Sequence, residues 1–272
     1  MTGGTSGLGR AVAEHVIERG GRVAVSARDE SALESMVSGH RMLGVVMDLT
    51  DPRTFMPAID RIDSAFGGID VLVNNAGYGL LGAVEETSDQ ERREQLETNF
   101  FGPVTLTSLL LPRMRQSRSA AIVNVSSVSG VRGAPGSPYY SASKHAVEGW
   151  SDSLRQELAP FGVHVMVVEP GAFRTDFFGR SRRHTQARLS VYESVELRRR
   201  SERETVGTQP GDPRRGARVI VDAIDGPEPP NRLVLGRSAV ASVRQSLVGR
   251  VEELDRWTRE SESADFPGEL GR

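Results

Sequence analysis

Residues 1–12 read MTGGTSGLGRAV, and the stretch Thr2-Gly3-Gly4-Thr5-Ser6-Gly7-Leu8-Gly9 decides how the remaining chain is read. Its glycines let the backbone turn tightly and approach a pyrophosphate, whose charge suits the free N–H groups at a helix start. A helical pattern does follow: Leu8, Val12 and Val16 share one face, with Ala13 and Ile17 beside it. Such a loop joins a buried strand to a helix, yet only Met1 stands before Thr2. The expectation is that the first, central strand of the sheet is missing from the sequence, leaving an open slot and unpaired backbone groups on its neighbours.

Beyond the loop, short β-branched runs alternate with helical segments. Strands are expected at 22–28, 42–49, 70–77, 120–127, 163–171 and 232–236. Several are apolar throughout, which suits strands covered on both faces. Phe55, Ile59, Ile62 and Phe66 fall on one helical face, as do Val147, Trp150, Leu154 and Leu158. This alternation predicts a doubly wound parallel α/β sheet in a single domain. Two regions break the rhythm: 176–210, rich in arginine with no clear pattern, and 258–272, expected to be a loosely ordered tail.

Composition narrows the function. The 272 residues carry a net charge of −2, which gives no reason to expect nucleic acid or an anionic membrane as partner. The absence of cysteine removes disulfides, thiolate catalysis and cysteine-ligated metals. The five histidines show no metal-ligand spacing, so no metal is expected. With no long apolar run, a cytoplasmic location is the default expectation.

The glycines at 3, 7 and 9 fit TGxxxGxG, and with Asn74-Asn75-Ala76-Gly77, Ser127, Tyr140-Ser-Ala-Ser-Lys144 and Pro170-Gly171 they resemble the short-chain dehydrogenase/reductase family. The likeness runs from Thr2 to about residue 240. Gly77 through Gly82 and the EPGAFRTDF segment look most like members grouped with hydroxysteroid dehydrogenases, which does not fix a steroid substrate. The resemblance implies a Rossmann-like dinucleotide-binding and catalytic domain over 1–240, a substrate lid at about 173–206, and a C-terminal helix and polar tail over 241–272. It implies cofactor contacts from Gly3, Thr5, Ser6, Gly7, Leu8, Gly9, Asp48, Leu49, Asn75, Ala76, Gly77, Tyr140, Lys144, Pro170, Gly171 and Thr175. An NAD site offers a carboxylate near the end of the second strand. Here Ala27 occupies that place and Arg28 follows, where a guanidinium can fork onto a 2′-phosphate. NADP(H) is therefore preferred, with NAD(H) still compatible.

Tyr140 and Lys144 are four residues apart, so a helix puts both on one face. A phenol titrates near 10, and acid/base work at neutral pH needs a shift of roughly three units, about 4 kcal/mol. A lysine cation favours the phenolate. By resemblance, Ser127 bonds the substrate oxygen, Asn99 holds a water relay to Lys144, and these two with Tyr140 and Lys144 form the catalytic set. The implied reaction is hydride transfer between nicotinamide and a ketone, aldehyde or secondary alcohol. Tyr139, with Ser143 four residues on, reads as packing or a substrate contact. Phe177, Phe178, Leu189, Val191 and Tyr192 point to a hydrophobic small-molecule substrate, while arginines at 180, 182, 183, 188, 198, 199, 200 and 203 would suit an acidic substrate but read rather as a solvated lid face. A non-catalytic redox sensor is the competing class, as is an epimerase or dehydratase of the extended branch. The sensor reading would fit loss of Tyr140 or Lys144, and the extended branch has TGxxGxxG. By family analogy, helices over about 88–115 and 138–160 are expected to pair into a homodimer or homotetramer.

Overall fold

The computed structural model describes residues 1–37, 39–117 and 119–266. Among the described residues eight strands run β1 (Val23–Ala27), β2 (Met42–Val46), β3 (Val71–Asn74), β4 (Gly79–Leu81), β5 (Ala121–Val125), β6 (His164–Pro170), β7 (Arg182–His184) and β8 (Arg232–Leu235). β3, β5, β6 and β8 form a parallel sheet in the order β3-β5-β6-β8, and β1 pairs in parallel with β2. Side chains alternate across the main sheet. Ile122 and Val165 face one core with Phe55, Ile59, Leu110 and Leu154, whereas Val123, Met166 and Val168 face another with Val12, Ile220 and Val221. Helices therefore cover both faces, the doubly wound arrangement that explains why the middle of β6, residues 165–168, is apolar without alternation.

The helices are α1 (Gly7–Glu18), α2 (Glu30–Glu34), α3 (Phe55–Phe66), α4 (Asp89–Leu96), α5 (Gly102–Met114), α6 (Pro138–Leu158), α7 (Glu193–Glu204), α8 (Pro213–Asp225) and α9 (Arg237–Glu262). α3 buries Phe55, Ala58, Ile59 and Ile62, then stops at Gly67, whose φ of 79° suits a residue without a side chain. α6 starts with Pro138 in its first turn and buries Tyr140, Lys144, Val147, Ser151, Leu154 and Leu158 along one stripe. The expected helix over 88–115 is interrupted. A π-helical turn at Glu97–Phe101 separates α4 from α5 and holds Asn99, a device that often marks functional positions.

Two expectations about irregular segments are corrected. The 176–210 stretch contains β7 and α7, because β7 pairs in parallel with β4 and α7 buries Val195 and Arg199, four residues apart. The arginines in that helix hide its apolar pattern from a hydropathy reading. Likewise, α9 continues to Glu262, so 258–262 is helical rather than loose; residues 267–272 lie outside the described residues.

A gap lies between β1 and β3. Residues 1–3 bridge it. Ser26 N donates to Met1 O, Gly3 N to Ser26 O, and Thr2 N to Val73 O, each at 2.9–3.0 Å. The Met1 ammonium donates to Ala24 O at 2.7 Å, and burial lowers its pKa to about 5. Farther along the same gap is a cavity of about 430 Å³, walled by Val23, Ala24, Val71, Val73, Ile59 and Ile62. No helix among the described residues is long and apolar enough to cross a membrane.

Candidate active site

A cleft of about 620 Å³ opens beside the carboxyl ends of β3, β5 and β6, where open α/β sheets bind ligands. The opening loop forms one end. Gly3 and Gly7 have φ of 62° and 57°, and a Cβ on Gly3 would come within 2.8 Å of the Ala76 backbone. At Gly9 a Cβ would collide with Asn75 Nδ2 and Gly3 O. The Thr2 hydroxyl accepts from both Asn75 N and Ala76 N at 3.0 Å, so the loop and the NNAG turn are fixed together. Ser6 caps α1 without any side-chain hydrogen bond, and Ser6, Gly7 and Leu8 line the cleft. The first N–H groups of the helix are thus left to a ligand, and a pyrophosphate is the chemistry they suit. These residues fit a nicotinamide dinucleotide.

The other end gathers the residues expected to be catalytic. Ser127, at the close of β5, and Tyr140 and Lys144, one turn apart on α6, all line the cleft. Lys144 Nζ donates to Val125 O at 2.8 Å and lies 5.9 Å from the Tyr140 ring centre. Burial lowers the Lys144 pKa to about 8, with the Glu148 carboxylate opposing, so it is mostly an ammonium at neutral pH. Burial also raises the Tyr140 phenol, while the adjacent Ser127 hydroxyl and the Arg182 and Arg198 cations draw it back. Asn99 sits behind this group. Its Oδ1 accepts from Tyr78 N at 3.1 Å, and its Nδ2 donates to Tyr78 O and Ser143 Oγ. Gly77 separates Asn99 from Lys144, for a Cβ there would lie 3.0 Å from Asn99 Oδ1 and 3.7 Å from Lys144 Nζ.

Fourteen of the residues named from sequence line this one cleft: Gly3, Thr5, Ser6, Gly7, Leu8, Gly9, Asn75, Gly77, Ser127, Tyr140, Lys144, Pro170, Gly171 and Thr175. Five do not. Ala76 and Asn99 lie just behind the lining. Leu49 is buried in the core that also holds Leu106 and Phe55. Asp48 follows β2, where its Oδ1 accepts from Thr50 N and Oγ1. Arg28 is exposed at the end of β1. β1 and β2 are parallel neighbours with Ala27 opposite Val46, so Arg28 and Asp48 share one end of the sheet.

Sequence reasoning missed part of the wall. Ser238, Ala239 and Ser242 of α9 close one side, packed so tightly that a Cβ on Gly171 would lie 2.9 Å from Ala239. They carry no motif, and only the return of α9 over the strand ends places them. The reading of the arginines as one solvated face needs correction. Arg182 is buried in the cleft wall, with its guanidinium 6.0 Å from the Tyr140 ring and 5.1 Å from Phe177. Arg199 is also buried, donating to Glu86 Oε2 at 2.7 Å and tying α7 to the loop after β4. Burial alone would raise Glu86, but hydrogen bonds from Arg199, Ala83 N and Leu189 N bring its pKa to about 2. Arg132 and Arg198 also line the cleft, whereas Tyr139 does not and interacts with Arg92.

The comparisons with known proteins agree with this geometry. A family model described as short chain dehydrogenase matches residues 1–186. An oxidoreductase of Botryotinia fuckeliana is 36% identical over 243 residues, covering 88% of this chain and 89% of the relative. A 3-ketodihydrosphingosine reductase of Bacteroides thetaiotaomicron is 42% identical over 177 residues, 65% of this chain and 64% of its own length. Among solved structures, a short-chain dehydrogenase from Streptomyces avermitilis superimposes with a TM-score of 0.89 at 39% identity, covering 97% of this chain and 98% of that one. A Burkholderia phymatum relative in complex with NAD has a TM-score of 0.79 at 27% identity, covering 90% of both chains. A Burkholderia cenocepacia relative in complex with NADP has a TM-score of 0.72 at 25% identity, covering 94% of both. This chain belongs to the short-chain dehydrogenase family, as an oxidoreductase that acts on CH–OH or C=O groups with a nicotinamide dinucleotide.

Proposed function

We propose that the protein is an NADP(H)-dependent reductase of ketones or aldehydes, running equally as a secondary-alcohol dehydrogenase, with Tyr140 as the acid/base. The observation that carries the reading is the convergence of Ser127, Tyr140 and Lys144 on the cleft that the Gly3–Gly9 loop also lines. The bound dinucleotide supplies or accepts the hydride. Ser127 holds the substrate oxygen, and Tyr140 gives or takes its proton. The Lys144 ammonium favours the phenolate and bonds the nicotinamide ribose. Asn99, braced against Tyr78 and Ser143, fixes the backbone beside Lys144 and holds the proton relay that refills it. Arg28, with no carboxylate at Ala27, selects the 2′-phosphate and therefore NADP(H).

Residues Phe173 through about Val206 act as the substrate lid, and Phe177 and Phe178 give the cleft apolar walls that suit a hydrophobic substrate. The exposed Phe101 and Leu109, at and within α5, are consistent with a dimer built on that helix. The test is a panel of ketones and aldehydes offered with NADPH and with NADH, following the absorbance of the reduced nicotinamide. Oxidation of NADPH by members of the panel is expected. No turnover with either dinucleotide would overturn the reading in favour of a binding protein.

A further inference from the structure

Lys144 is the only lysine in the 272-residue sequence; every other basic side chain apart from histidine is arginine. It is buried, and of its three N–H donors one reaches Val125 O at 2.8 Å. A buried ammonium needs a counter-charge, or it gives up its proton. The rest of the cleft does not offer one. Arg182 of β7 and Arg198 of α7 add positive charge and share Glu202 between them, and Asp176 is bonded to Arg180 at 2.6 Å.

The carboxylate that answers lies on α6 itself. Tyr140, Lys144, Glu148 and Asp152 recur every four residues and so form one row along the helix. Glu148 is buried with Lys144. Its Oε2 accepts from Arg232 Nε at 3.2 Å, whereas Oε1 has no hydrogen-bond partner among the described residues. Oε1 is turned toward the loop that follows Ser127: a Cβ on Gly130 would lie 3.1 Å from it and would meet the hydroxyl of Ser126, a cleft-lining residue. Arg232 does not cancel this charge in full. Its Nε also lies 3.7 Å from Glu169 Oε1, and its Nη2 donates to Asp152. Three carboxylates thus share Arg232, and Asp152 alone of the three has a second arginine, Arg155, among the described residues.

We propose that Glu148 is a positioning residue for the reaction, the counter-charge that keeps Lys144 an ammonium, with Glu169 drawing on Arg232 so that this charge stays available. What the ammonium does for Tyr140 and the dinucleotide rests on the reductase reading above; the ammonium itself does not. Burial already brings the Lys144 pKa down to about 8 against the Glu148 carboxylate, so without Glu148 the charge would be lost within the neutral range. Glu169, raised to about 7 by burial and by Glu148, gains its own charge just below that point.

Because Lys144 is the sole lysine, protein grown on lysine 13C-labelled at Cε gives one side-chain signal, whose shift with pH reads this ammonium directly. Glu148→Gln should lower the midpoint by about one pH unit and Glu169→Gln by less, while Glu148→Asp should recover part of the loss, with melting temperatures measured for all. Reduction needs a protonated Tyr140 and a charged Lys144. Burial raises the Tyr140 phenol, so Lys144 loses its proton first and sets the alkaline limb. At saturating NADPH, that limb of the kcat/KM profile for a reduced ketone should move down with the midpoint in each variant. A midpoint unmoved in both glutamine variants would overturn the proposal. So would a midpoint that falls while the limb stays in place, for the reaction would then not use the charge. Should Glu148→Gln not fold, Glu169→Gln, which keeps Glu148 and Arg232 paired, carries the same test. If no ketone is reduced yet the midpoint falls, the reductase reading fails and the counter-charge to Lys144 stands.

Discussion

Two openings flank the same sheet, and they differ in kind. The cleft at the strand ends is shaped by glycines, lined by hydroxyls and cations, and met by the uncapped start of α1. The gap between β1 and β3 is walled by Val23, Val71, Val73, Ile59 and Ile62, with backbone on both sides. Volume does not distinguish them, at about 620 and 430 Å³. Chemistry does. Polar groups held without partners call for a ligand that can return their hydrogen bonds, whereas apolar walls between two strand edges call for another strand and its side chains.

The largest expected effect tests that contrast at the gap. An added segment of about five to eight residues, the length of a typical strand, fused before Met1 with apolar residues should enter it. Two or three newly buried side chains contribute about 1.5–3 kcal/mol each. Thermal melting should rise by many degrees while kcat per folded molecule stays constant. If melting does not rise, the gap is not a strand site.

At the cleft, Tyr140→Phe should reduce turnover by about 10²–10⁴-fold with dinucleotide binding and melting temperature nearly unchanged. Near-normal turnover would remove the acid/base role and with it the distinction between the two openings.

The segment proposed as the lid is tied to the loop after β4 by the buried Arg199–Glu86 pair. Arg199→Met leaves Glu86 buried without its cation, a loss of about 3–5 kcal/mol. Denaturant unfolding should show it, and protease cleavage within 185–205 should accelerate. Glu86→Gln with Arg199→Met should recover much of the stability, because no charge is then left buried alone.

Arg28→Ala should weaken NADPH by about 10- to 150-fold and NADH little, measured by quenching of the protein's fluorescence. Equal losses would reopen NAD as the natural partner.

The smallest effect lies beneath the cleft. Burial, with the Glu148 charge beside it, raises the Glu169 pKa to about 7, and Arg232 only partly offsets this. A carboxyl raised in the folded state contributes stability below its unfolded value near 4.5, and that contribution is lost as pH rises through 7. Glu169→Gln should therefore melt like the wild type at pH 4 and several degrees higher at pH 8. A gain that is the same at both values would rule out titration as the cause.

How much was readable from sequence differs by region for physical reasons. The loop, the NNAG turn and the Tyr140–Lys144 pair are local constraints. Gly3 and Gly7 need positive φ, and a four-residue spacing on one helix brings two side chains together whatever packs around them. Residues brought together by chain returns carry no such mark. Ser238, Ala239 and Ser242 reach the cleft only because α9 folds back over β6 and β8.

The sequence by itself determined the alternating strands and helices, the glycine-rich loop and the meeting of Tyr140 with Lys144 on one helix face, since periodicity, glycine stereochemistry and i,i+4 spacing act over a few residues. Only the tertiary structure decided which arginines face water. Arg180 and Arg200 are solvated, whereas Arg182 and Arg199 lose their water to Phe177, Phe178, Glu202 and Glu86. A guanidinium's solvation is set by what packs against it from distant segments, and the pairing of β4 with β7 brings those segments together.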